Sequence, residues 1–524
     1  MKRSETKRRL FLGVLTAFTL LYLVWRVGFT VPYDHGTLSI LFGWVLLAVE
    51  ILGAAELLIY FFLDTGDAEA VPERKAKPLA VDVFVTACGE PVELLRQTLT
   101  ACLAMRYGGK FTVYLLDDRP SEEMRSMAES LGVTYLTRKD RTGAKAGNLN
   151  AALARTKAPL VAVFDADMCP QPDFLAVTVP YVNGRTAYVQ TPQSFRNPDL
   201  FQAACGGRNR IPGEQDFFYR AIEPARNRSR AVVLAGSNLL LSRQALREVG
   251  GFDTETLTED FATGIELLKK GWKTAAVAEP HAWGLAPDSF GGLIRQRRRW
   301  AAGCIQAGRR TRFLRSKALT VSQKLSYLNG VSYWYFPLKR LVYMTAPLLF
   351  ALAHVTVMRC TPVSAAAFWL PMFVLTGIGV TVYSRGTRTV GWSMLYETCL
   401  SPFLLLTVIR ATFGRGSRSF EVTDKSGRGE WKASYLLPFV IGAGINAWGV
   451  YAAIVQSLAE GTWLYALLTA WMLYHLYLHV CAFLVVLSCR KKGSGEEVSE
   501  EVPPRRRWYL HNKLCLLIAG SLRK

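Results

Sequence analysis

The sequence predicts an α/β domain with a mainly parallel sheet, inserted into a domain of membrane-spanning helices. The chain of 524 residues is 50% hydrophobic, with a mean hydropathy of +0.16, which is high for a soluble enzyme. Its long apolar runs lie towards its two ends. Between them, residues 73–333 contain no run of the roughly 20 apolar residues that a spanning helix needs.

The amino-terminal region contains two long apolar runs, residues 10–29 and 37–63. Basic residues stand before the first run and, in the stretch VPERKAKP, after the second. Cytosolic flanks of membrane spans are enriched in Lys and Arg, so both ends of this pair are predicted in the cytosol. A long first run followed at once by a second is typical of a retained anchor rather than a cleaved signal peptide. Residues 1–72 are therefore predicted to form a transmembrane hairpin.

The central region, residues 73–333, alternates short apolar runs with helical patterns such as residues 91–105. Such alternation predicts a mainly parallel sheet covered by helices. The predicted strands are residues 81–87, 111–118, 160–167, 187–191 and 232–241. Ligands of such sheets bind at the carboxyl ends of the strands, where this sequence has paired aspartates.

The carboxyl-terminal region, residues 334–489, contains four further predicted spans, at 336–358, 365–383, 436–455 and 463–487. Residues 390–413 are also long enough to cross, but Arg-rich segments flank them on both sides. We therefore predict an interfacial or re-entrant helix there, which leaves six spans. The loop 415–432 follows this helix, and residues 490–524 form a basic tail that is predicted to be cytosolic.

The net charge of +22 comes from 63 Lys and Arg against 41 Asp and Glu. Anionic lipid headgroups or an anionic substrate such as a nucleotide diphosphate would suit this excess. No recognition motif for nucleic acid accompanies the charge, so nucleic acid is not an expected partner. The ten cysteines show no CxxC pair or zinc-binding spacing, which favours reduced thiols.

Asp165 and Asp167 end a predicted strand, and Asp117 and Asp118 end another. Two carboxylates one residue apart can hold a hard divalent cation whose coordination shell is completed by phosphates of a nucleotide. The alternative is that these aspartates only cap turns.

Thr258, Glu259 and Asp260 open a predicted helix. One of the carboxylates could be a general base that deprotonates an attacking sugar hydroxyl. Thr258 could equally be a helix N-cap followed by acidic residues, which are favoured in a first turn.

Gln296, Arg299 and Trp300 lie on a helical stretch and can share one face. An arginine there can neutralise a leaving diphosphate, and an indole can stack on a sugar ring. A basic helix on lipid headgroups is the alternative. Lys145, in the stretch KAGN, offers an ammonium group to phosphate, or is an ordinary loop residue.

In chain order these pieces read DD, DAD, TED and QRRRW, and the chain therefore resembles the processive family 2 glycosyltransferases, the cellulose synthase and hyaluronan synthase group. The stretches VDVFVTACGEP, AKAGNLNAAL, VQTPQSFRNPD and GGFDTETLTED are similar to bacterial cellulose synthase. FEVTDK, at 420–425, is similar to the gating loop of that family. The resemblance covers roughly residues 75 to 490 and implies a GT-A domain.

The resemblance also implies residue roles. Asp260 would be the base within the catalytic motif Thr258, Glu259 and Asp260. Asp165 and Asp167 would bind Mg²⁺ or Mn²⁺. The donor nucleotide and its diphosphate would contact Thr86, Glu90, Asp117, Asp118, Lys145, Asp165, Arg299, Thr423 and Lys425. The acceptor polymer would contact Gln296, Trp300, Gly236 and Ser237.

The implied activity is inverting, processive transfer from a UDP-sugar, first of all UDP-glucose, to the non-reducing end of a β-glucan, coupled to translocation of the polymer. The implied protein is integral to the plasma or inner membrane, in contact with its lipids and the nascent polysaccharide, with accessory synthase subunits as further candidate partners. The catalytic domain and both termini would be cytosolic.

Two departures from the bacterial cellulose synthase pattern leave donor affinity and product linkage open, and a third bears on regulation by cyclic-di-GMP in cis. Cys88 and Gly89 replace the Tyr and Asn of YNEP, and Ala235 stands where the pattern often has Cys. The 35 residues after Cys489 are too few for a cyclic-di-GMP-binding PilZ barrel. Hyaluronan, chitin and mannan synthases, a non-processive transferase to a lipid carrier, and a non-catalytic membrane subunit remain alternatives.

Overall fold

A computed structural model describes residues 2–64, 78–205, 211–384, 386–415, 431–460 and 463–490. The predicted gating motif with Thr423 and Lys425 lies outside the described residues, as does the basic tail after residue 490.

The amino-terminal region forms two long helices, α1 (Lys2–Phe29) and α2 (Thr37–Asp64), as the sequence predicts. The Arg26 guanidinium, at the far end of α1, donates to the Glu50 carboxylate of α2 over 2.5 Å. A charged pair between two apolar helices satisfies both groups away from water, so it fixes how the helices pair.

The central domain is built on a seven-stranded sheet with the order β3-β2-β1-β4-β8-β6-β9 and a three-stranded sheet with the order β5-β10-β7. The strands are β1 Val81–Ala87, β2 Phe111–Asp117, β3 Thr134–Thr137, β4 Leu160–Asp165, β5 Cys169–Pro170, β6 Thr186–Gln190, β7 Ser194–Phe195, β8 Leu239–Ser242, β9 Lys273–Ala276 and β10 Ala282–Gly284. Only β8 runs antiparallel to its neighbours in the larger sheet. The prediction of a mainly parallel sheet is therefore confirmed.

Helices cover both faces of this sheet. The helices of the central domain are α3 Val92–Leu103, α4 Glu122–Ser130, α5 Ala144–Arg155, α6 Phe174–Thr178, α7 Leu200–Ala204, α8 Glu223–Ala225, α9 Arg243–Val249, α10 Glu259–Lys269, α11 Phe290–Thr311 and α12 Val321–Ser332. All seven residues of β1 are buried. Val83 and Val85 join the core that α3 and α4 complete, whereas Phe84 joins the core under α5. Side chains of a strand alternate between faces, so a strand covered on both sides is apolar at almost every position.

The predicted strand 232–241 is wrong over most of its length. Only Leu239–Ser242 forms a strand. Gly236 (φ 75°) and Asn238 (φ 57°) adopt left-handed backbone conformations that no regular strand contains. We call residues 231–237 the 231–237 loop. This loop is buried and apolar, so its amino-acid composition resembles that of a buried strand.

The carboxyl-terminal region contains α13 Phe336–Ala353, α14 Pro362–Ser364, α15 Leu370–Tyr383, α16 Val390–Thr412, α17 Leu437–Glu460 and α18 Trp463–Ser488. Among the described residues, seven helical segments are long and apolar enough to cross a membrane, and α16 is one of them. Six of the seven correspond to the six predicted spans. That α16 lies at the interface stays a prediction.

Candidate active site

The candidate site lies where β1, β2 and β4 end. In the sheet register Ala87 is beside Asp117, and Thr86 is beside Asp165. Parallel strands bring their carboxyl ends to one edge, so residues that are distant in sequence meet there.

The two aspartates at the end of β2 are already engaged within the protein. The carboxylate of Asp117 accepts hydrogen bonds from the Tyr135 hydroxyl and the Arg119 backbone N–H, each over 2.8 Å. The carboxylate of Asp118 forms a bidentate pair with the Arg138 guanidinium, with both N···O distances 2.7 Å. Arg138 and Tyr135 were missed in the sequence, because each lies 18 to 20 residues from its partner.

Thr86 and Glu90 lie at the same edge of the sheet, at or just after the end of β1. The Thr86 hydroxyl lies 3.5 Å from the Phe164 carbonyl oxygen of β4. The Glu90 carboxylate accepts from the Cys88 backbone N–H over 2.6 Å, which closes a tight turn after β1. Both residues therefore lie where the nucleotide of a donor was expected.

Asp165 and Asp167 follow one another around the end of β4 with different surroundings. The Asp165 side chain is about one-third exposed, at 34%, whereas Asp167 is buried and accepts from the Leu285 backbone N–H over 3.0 Å. The described residues contain no cluster of three or more His, Cys, Asp or Glu that could hold a metal ion. The two carboxylates suit Mg²⁺ or Mn²⁺ by their oxygen chemistry, but other oxygens must complete the shell.

Lys145, near the start of α5, connects this edge to the 231–237 loop. Its ammonium pairs with the Asp165 carboxylate and donates to the Gly236 carbonyl oxygen over 2.7 Å. Burial lowers the pKa of Lys145, but the nearby carboxylates of Asp165 and Glu259 outweigh it and leave the pKa raised. Lys145 is therefore a fixed positive charge beside the paired aspartates.

Asp260, in the first turn of α10, is the most strongly perturbed carboxyl of this edge. Burial, followed by the charge of Glu259, raises its pKa to about 7. Its carboxylate accepts from the Phe261 backbone N–H over 2.7 Å. A Cβ on Gly236 would stand 2.7 Å from one carboxylate oxygen of Asp260. The absence of a side chain at Gly236 therefore lets the loop backbone approach Asp260.

Thr258 occupies the N-cap position of α10, but its side chain makes no capping hydrogen bond. Capping alone therefore does not explain this residue. α11 crosses directly over it, and a Cβ on Gly303 would lie 2.8 Å from the Thr258 hydroxyl oxygen and 2.9 Å from its backbone nitrogen. This close approach brings the TED and QRRRW segments together.

Gln296, Arg299 and Trp300 lie on α11, all of them partly buried. The positive charge of Arg299 acts on the carboxyl of Asp260. Arg297, which the sequence did not single out, is buried, pairs with Glu214, and lies 4.3 Å from the centre of the Trp300 ring. The cation therefore covers one face of the indole.

Gly236 and Ser237 complete the edge opposite Asp165. The Ser237 hydroxyl accepts from the Asp165 backbone N–H over 2.9 Å. Gln190, at the end of β6, donates to the Ser237 carbonyl oxygen over 2.7 Å and accepts from the Ala235 N–H over 3.0 Å. Gln190 was not predicted, although it lies in the VQTPQ stretch, and it holds the 231–237 loop to the sheet.

Comparisons with known proteins show the family to which the chain belongs. Residues 78–303 match the family model described as Glycosyltransferase like family 2, and residues 247–393 match the one described as Cellulose synthase. The chain is 31% identical over 520 residues to the UDP-forming cellulose synthase 1 catalytic subunit of Komagataeibacter xylinus, covering 96% of this chain and 69% of that protein. It is also 31% identical over 500 residues to the UDP-forming cellulose synthase catalytic subunit of Pseudomonas fluorescens (strain SBW25), covering 93% and 67%.

Among solved structures, the chain is similar to the mannosyltransferase PcManGT from Pyrobaculum calidifontis, which was solved with GDP-Man and Mn²⁺. The identity is 17% and the TM-score is 0.49, over 71% of this chain and 99% of that protein.

Proposed function

Because the chain belongs to the family of UDP-forming bacterial cellulose synthase catalytic subunits, we propose that it transfers glucose from UDP-glucose to the non-reducing end of a growing β-glucan. It is a glycosyltransferase with a GT-A domain. In this proposal it is processive, and its membrane helices pass the polymer across the bilayer from a cytosolic catalytic site.

The observation that carries the proposal is the state of Asp260. A buried carboxyl with a pKa of about 7 is half deprotonated at neutral pH, and a general base works best at such a value. Asp260 would take the proton from the acceptor hydroxyl while that oxygen bonds to the anomeric carbon. The bond from this carbon to the diphosphate oxygen breaks, and UDP leaves. A single displacement of this kind converts an α-linked donor into a β-linkage.

The donor half of the site would use the strand ends. Thr86, Glu90, Asp117 and Asp118 would surround the uridine. Lys145 would leave its contact with Asp165 to approach the diphosphate. Asp165 and Asp167 would hold Mg²⁺ or Mn²⁺, which neutralises charge that develops on the leaving diphosphate.

The acceptor half would use α11 and the 231–237 loop. Trp300 would offer its indole ring to the terminal sugar, with Gln296, Gly236 and Ser237 beside it. Arg299 would stabilise the diphosphate as it leaves. Thr423 and Lys425 would contribute from the gating loop.

Incubation of the purified chain, in nanodiscs, with each radiolabelled UDP-sugar and Mg²⁺ or Mn²⁺ tests the proposal. The expected result is high-molecular-weight product from UDP-glucose, absent with Asp260→Asn, and digestion by linkage-specific glucanases then separates cellulose from mixed-linkage or 1,3-linked glucan. Polymer from another donor would overturn the glucan assignment in favour of a hyaluronan, chitin or mannan synthase. Label on a lipid without polymer would overturn processivity.

A further inference from the structure

We propose that Glu223 is a positioning residue that holds the 231–237 loop against Asp260, and that its ion-pair partner Arg226 joins the same segment to α12. The proposal rests on the proposed function of Asp260. Neither residue belongs to a motif that the sequence singled out, and neither touches the donor or acceptor residues directly.

The pair is buried as completely as any charged pair in the described part of the chain. Glu223 and Arg226 are each 1% exposed, and the guanidinium donates to the carboxylate over 2.5 Å. A second nitrogen of Arg226 donates to the Ser326 carbonyl oxygen of α12 over 3.0 Å. The guanidinium carbon lies 5.6 Å from the centre of the Phe218 ring. Arg226 therefore joins α8 to α12.

Glu223 extends this connection to the loop. Its second carboxylate oxygen accepts from the Val233 backbone N–H over 2.7 Å. One residue before Val233, the Val232 carbonyl oxygen accepts a hydrogen bond from the Tyr188 hydroxyl over 2.6 Å. Three residues beyond Val233, Gly236 meets Lys145 through its carbonyl and approaches the Asp260 carboxylate. Glu223 therefore fixes the loop on the amino-terminal side of Gly236, whereas Gln190 fixes it at Ala235 and Ser237.

The other side of the same short segment contacts the membrane helices. The residues just before and within the π-helical turn Phe218–Ile222 pack in one cluster with those ends of α1, α2 and α15 that are predicted to be cytosolic, through Phe217, Ala221, Ile222, Leu12, Leu57, Phe61 and Tyr383. α12 also contacts α10, the helix that carries Asp260, since the ring centres of Tyr327 and Phe261 are 5.1 Å apart. The segment that carries Glu223 therefore contacts the membrane helices, and α12, to which Arg226 binds, contacts the helix of Asp260.

A purely structural role would not need a charged pair here. Replacement of a buried ion pair by apolar side chains of similar volume is often neutral for stability. Apolar replacements would, however, remove the hydrogen-bond acceptor of the Val233 N–H. The loop backbone would then no longer be held in its orientation at Val233. A displacement of about 1 Å near reacting atoms lowers a rate by about 100-fold, so a smaller shift of the loop is sufficient to be measured.

The test compares two double variants of the full chain in nanodiscs. Glu223→Leu with Arg226→Met removes both charges and the acceptor, whereas Glu223→Gln with Arg226→Met removes both charges and keeps an oxygen for the Val233 N–H. The rate of UDP release is measured with the donor that the wild type uses best. We expect the first variant to lose about tenfold or more in kcat, with donor KM changed less than about threefold, and the second to stay within about threefold of wild-type kcat.

Asp82 and Arg243 supply a matched control at the opposite end of the sheet. They are also buried, 2.6 Å apart, and Asp82 accepts from the Ala158 backbone N–H over 2.9 Å. Asp82→Leu with Arg243→Met makes the same chemical change away from the base. The proposal is overturned if this control loses as much kcat as the Glu223→Leu double variant, or if the Glu223→Leu and Glu223→Gln double variants turn over equally.

Amide hydrogen exchange of the 231–237 loop gives a readout that does not depend on activity. We expect faster exchange in the Glu223→Leu double variant than in the Glu223→Gln double variant and the Asp82 control. Equal protection in all three would overturn the positioning role even if the wild type made no polymer. Wild-type protein that releases no UDP from any donor, but shows the expected difference in exchange, would instead contradict the proposed function alone.

Discussion

Gly236→Ala tests whether the close approach of the 231–237 loop to Asp260 matters for catalysis. The new Cβ would stand 2.7 Å from Oδ2 and 3.5 Å from Cγ of Asp260. Carbon–oxygen contacts begin at about 3.3 Å, so the carboxylate or the loop must move by about 0.6 Å. A displacement of about 1 Å can lower a rate by about 100-fold, which makes roughly a tenfold loss of kcat the expected result.

The same substitution also strains the backbone, and this effect must be separated from the first. Gly236 has φ 75°, and an alanine in a left-handed conformation costs about 1–2 kcal/mol. Gly250, the C-cap of α9, has φ 85°, and a Cβ there would meet no atom within 4 Å. Gly250→Ala therefore carries the backbone cost without the contact to Asp260.

The assay is UDP release at saturating donor, run beside a thermal unfolding measurement of both variants. We expect both alanine variants to lose a similar amount of stability, and only Gly236→Ala to lose kcat. Gly236→Ala with more than half of the wild-type kcat would refute the reasoning, and so would an equal loss of kcat in Gly250→Ala.

Three further predictions concern the same edge of the sheet. Asp260 must be deprotonated to act, and its pKa is about 7, so wild-type kcat/KM should rise as pH increases through about 7. Asp260→Asn should lose at least about 100-fold at every pH, measured by UDP release. Asp165→Asn and Asp167→Asn should each raise the concentration of Mn²⁺ that gives half-maximal activity, because each removes a hard oxygen ligand, and EDTA should abolish wild-type turnover. Gly303→Ala should lower kcat by about tenfold or more, because its Cβ would lie 2.9 Å from the Thr258 backbone nitrogen and displace the start of α10.

Controls for these predictions lie close to the changed residues. Gly308→Ala, on the same helix as Gly303, would have its nearest contacts with Val331 at 3.1 Å and Phe313 at 3.5 Å, away from Thr258, and should keep its activity. An unchanged metal requirement in the Asp165 and Asp167 variants would contradict their role as ligands. A flat pH profile between pH 6 and pH 8 would contradict the assignment of the base.

Much of the fold was predictable because the strands of the central domain are buried on both faces. β4 is a continuous apolar run that ends in Asp165, and only Asp82 and Thr86 interrupt the apolar residues of β1, so both strands stand out in the sequence. β3 and β9 were not predicted, since Thr134–Thr137 and Lys273–Ala276 are short and contain polar residues at the rim of the sheet. Short edge strands carry little periodic signal.

The candidate site was only partly predictable, for a physical reason. Motif residues such as Asp260 stand in short, local patterns that a sequence displays directly. The residues that hold these motif residues in place do not stand in local patterns. Arg138 lies 20 residues from Asp118, and Gln190 lies 47 residues from Ser237. Such pairs form only when distant strands and loops meet in the fold, so no local spacing in the sequence predicts them. The prediction of a strand at residues 232–241 was wrong for a related reason, because a buried loop is as apolar as a buried strand.

The packing of α16 favours its predicted place along the membrane interface. The Arg298 side chain of α11 donates to the Phe403 carbonyl oxygen over 2.9 Å, near the middle of α16, and Arg309 of the same helix donates to the Ala411 carbonyl oxygen over 2.9 Å, near its end. The two helices therefore run side by side. If α16 crossed the bilayer, its middle would lie in hydrocarbon and would bring the exposed Arg298 with it, at a large cost in free energy. At the interface the same arginines would meet water and lipid headgroups.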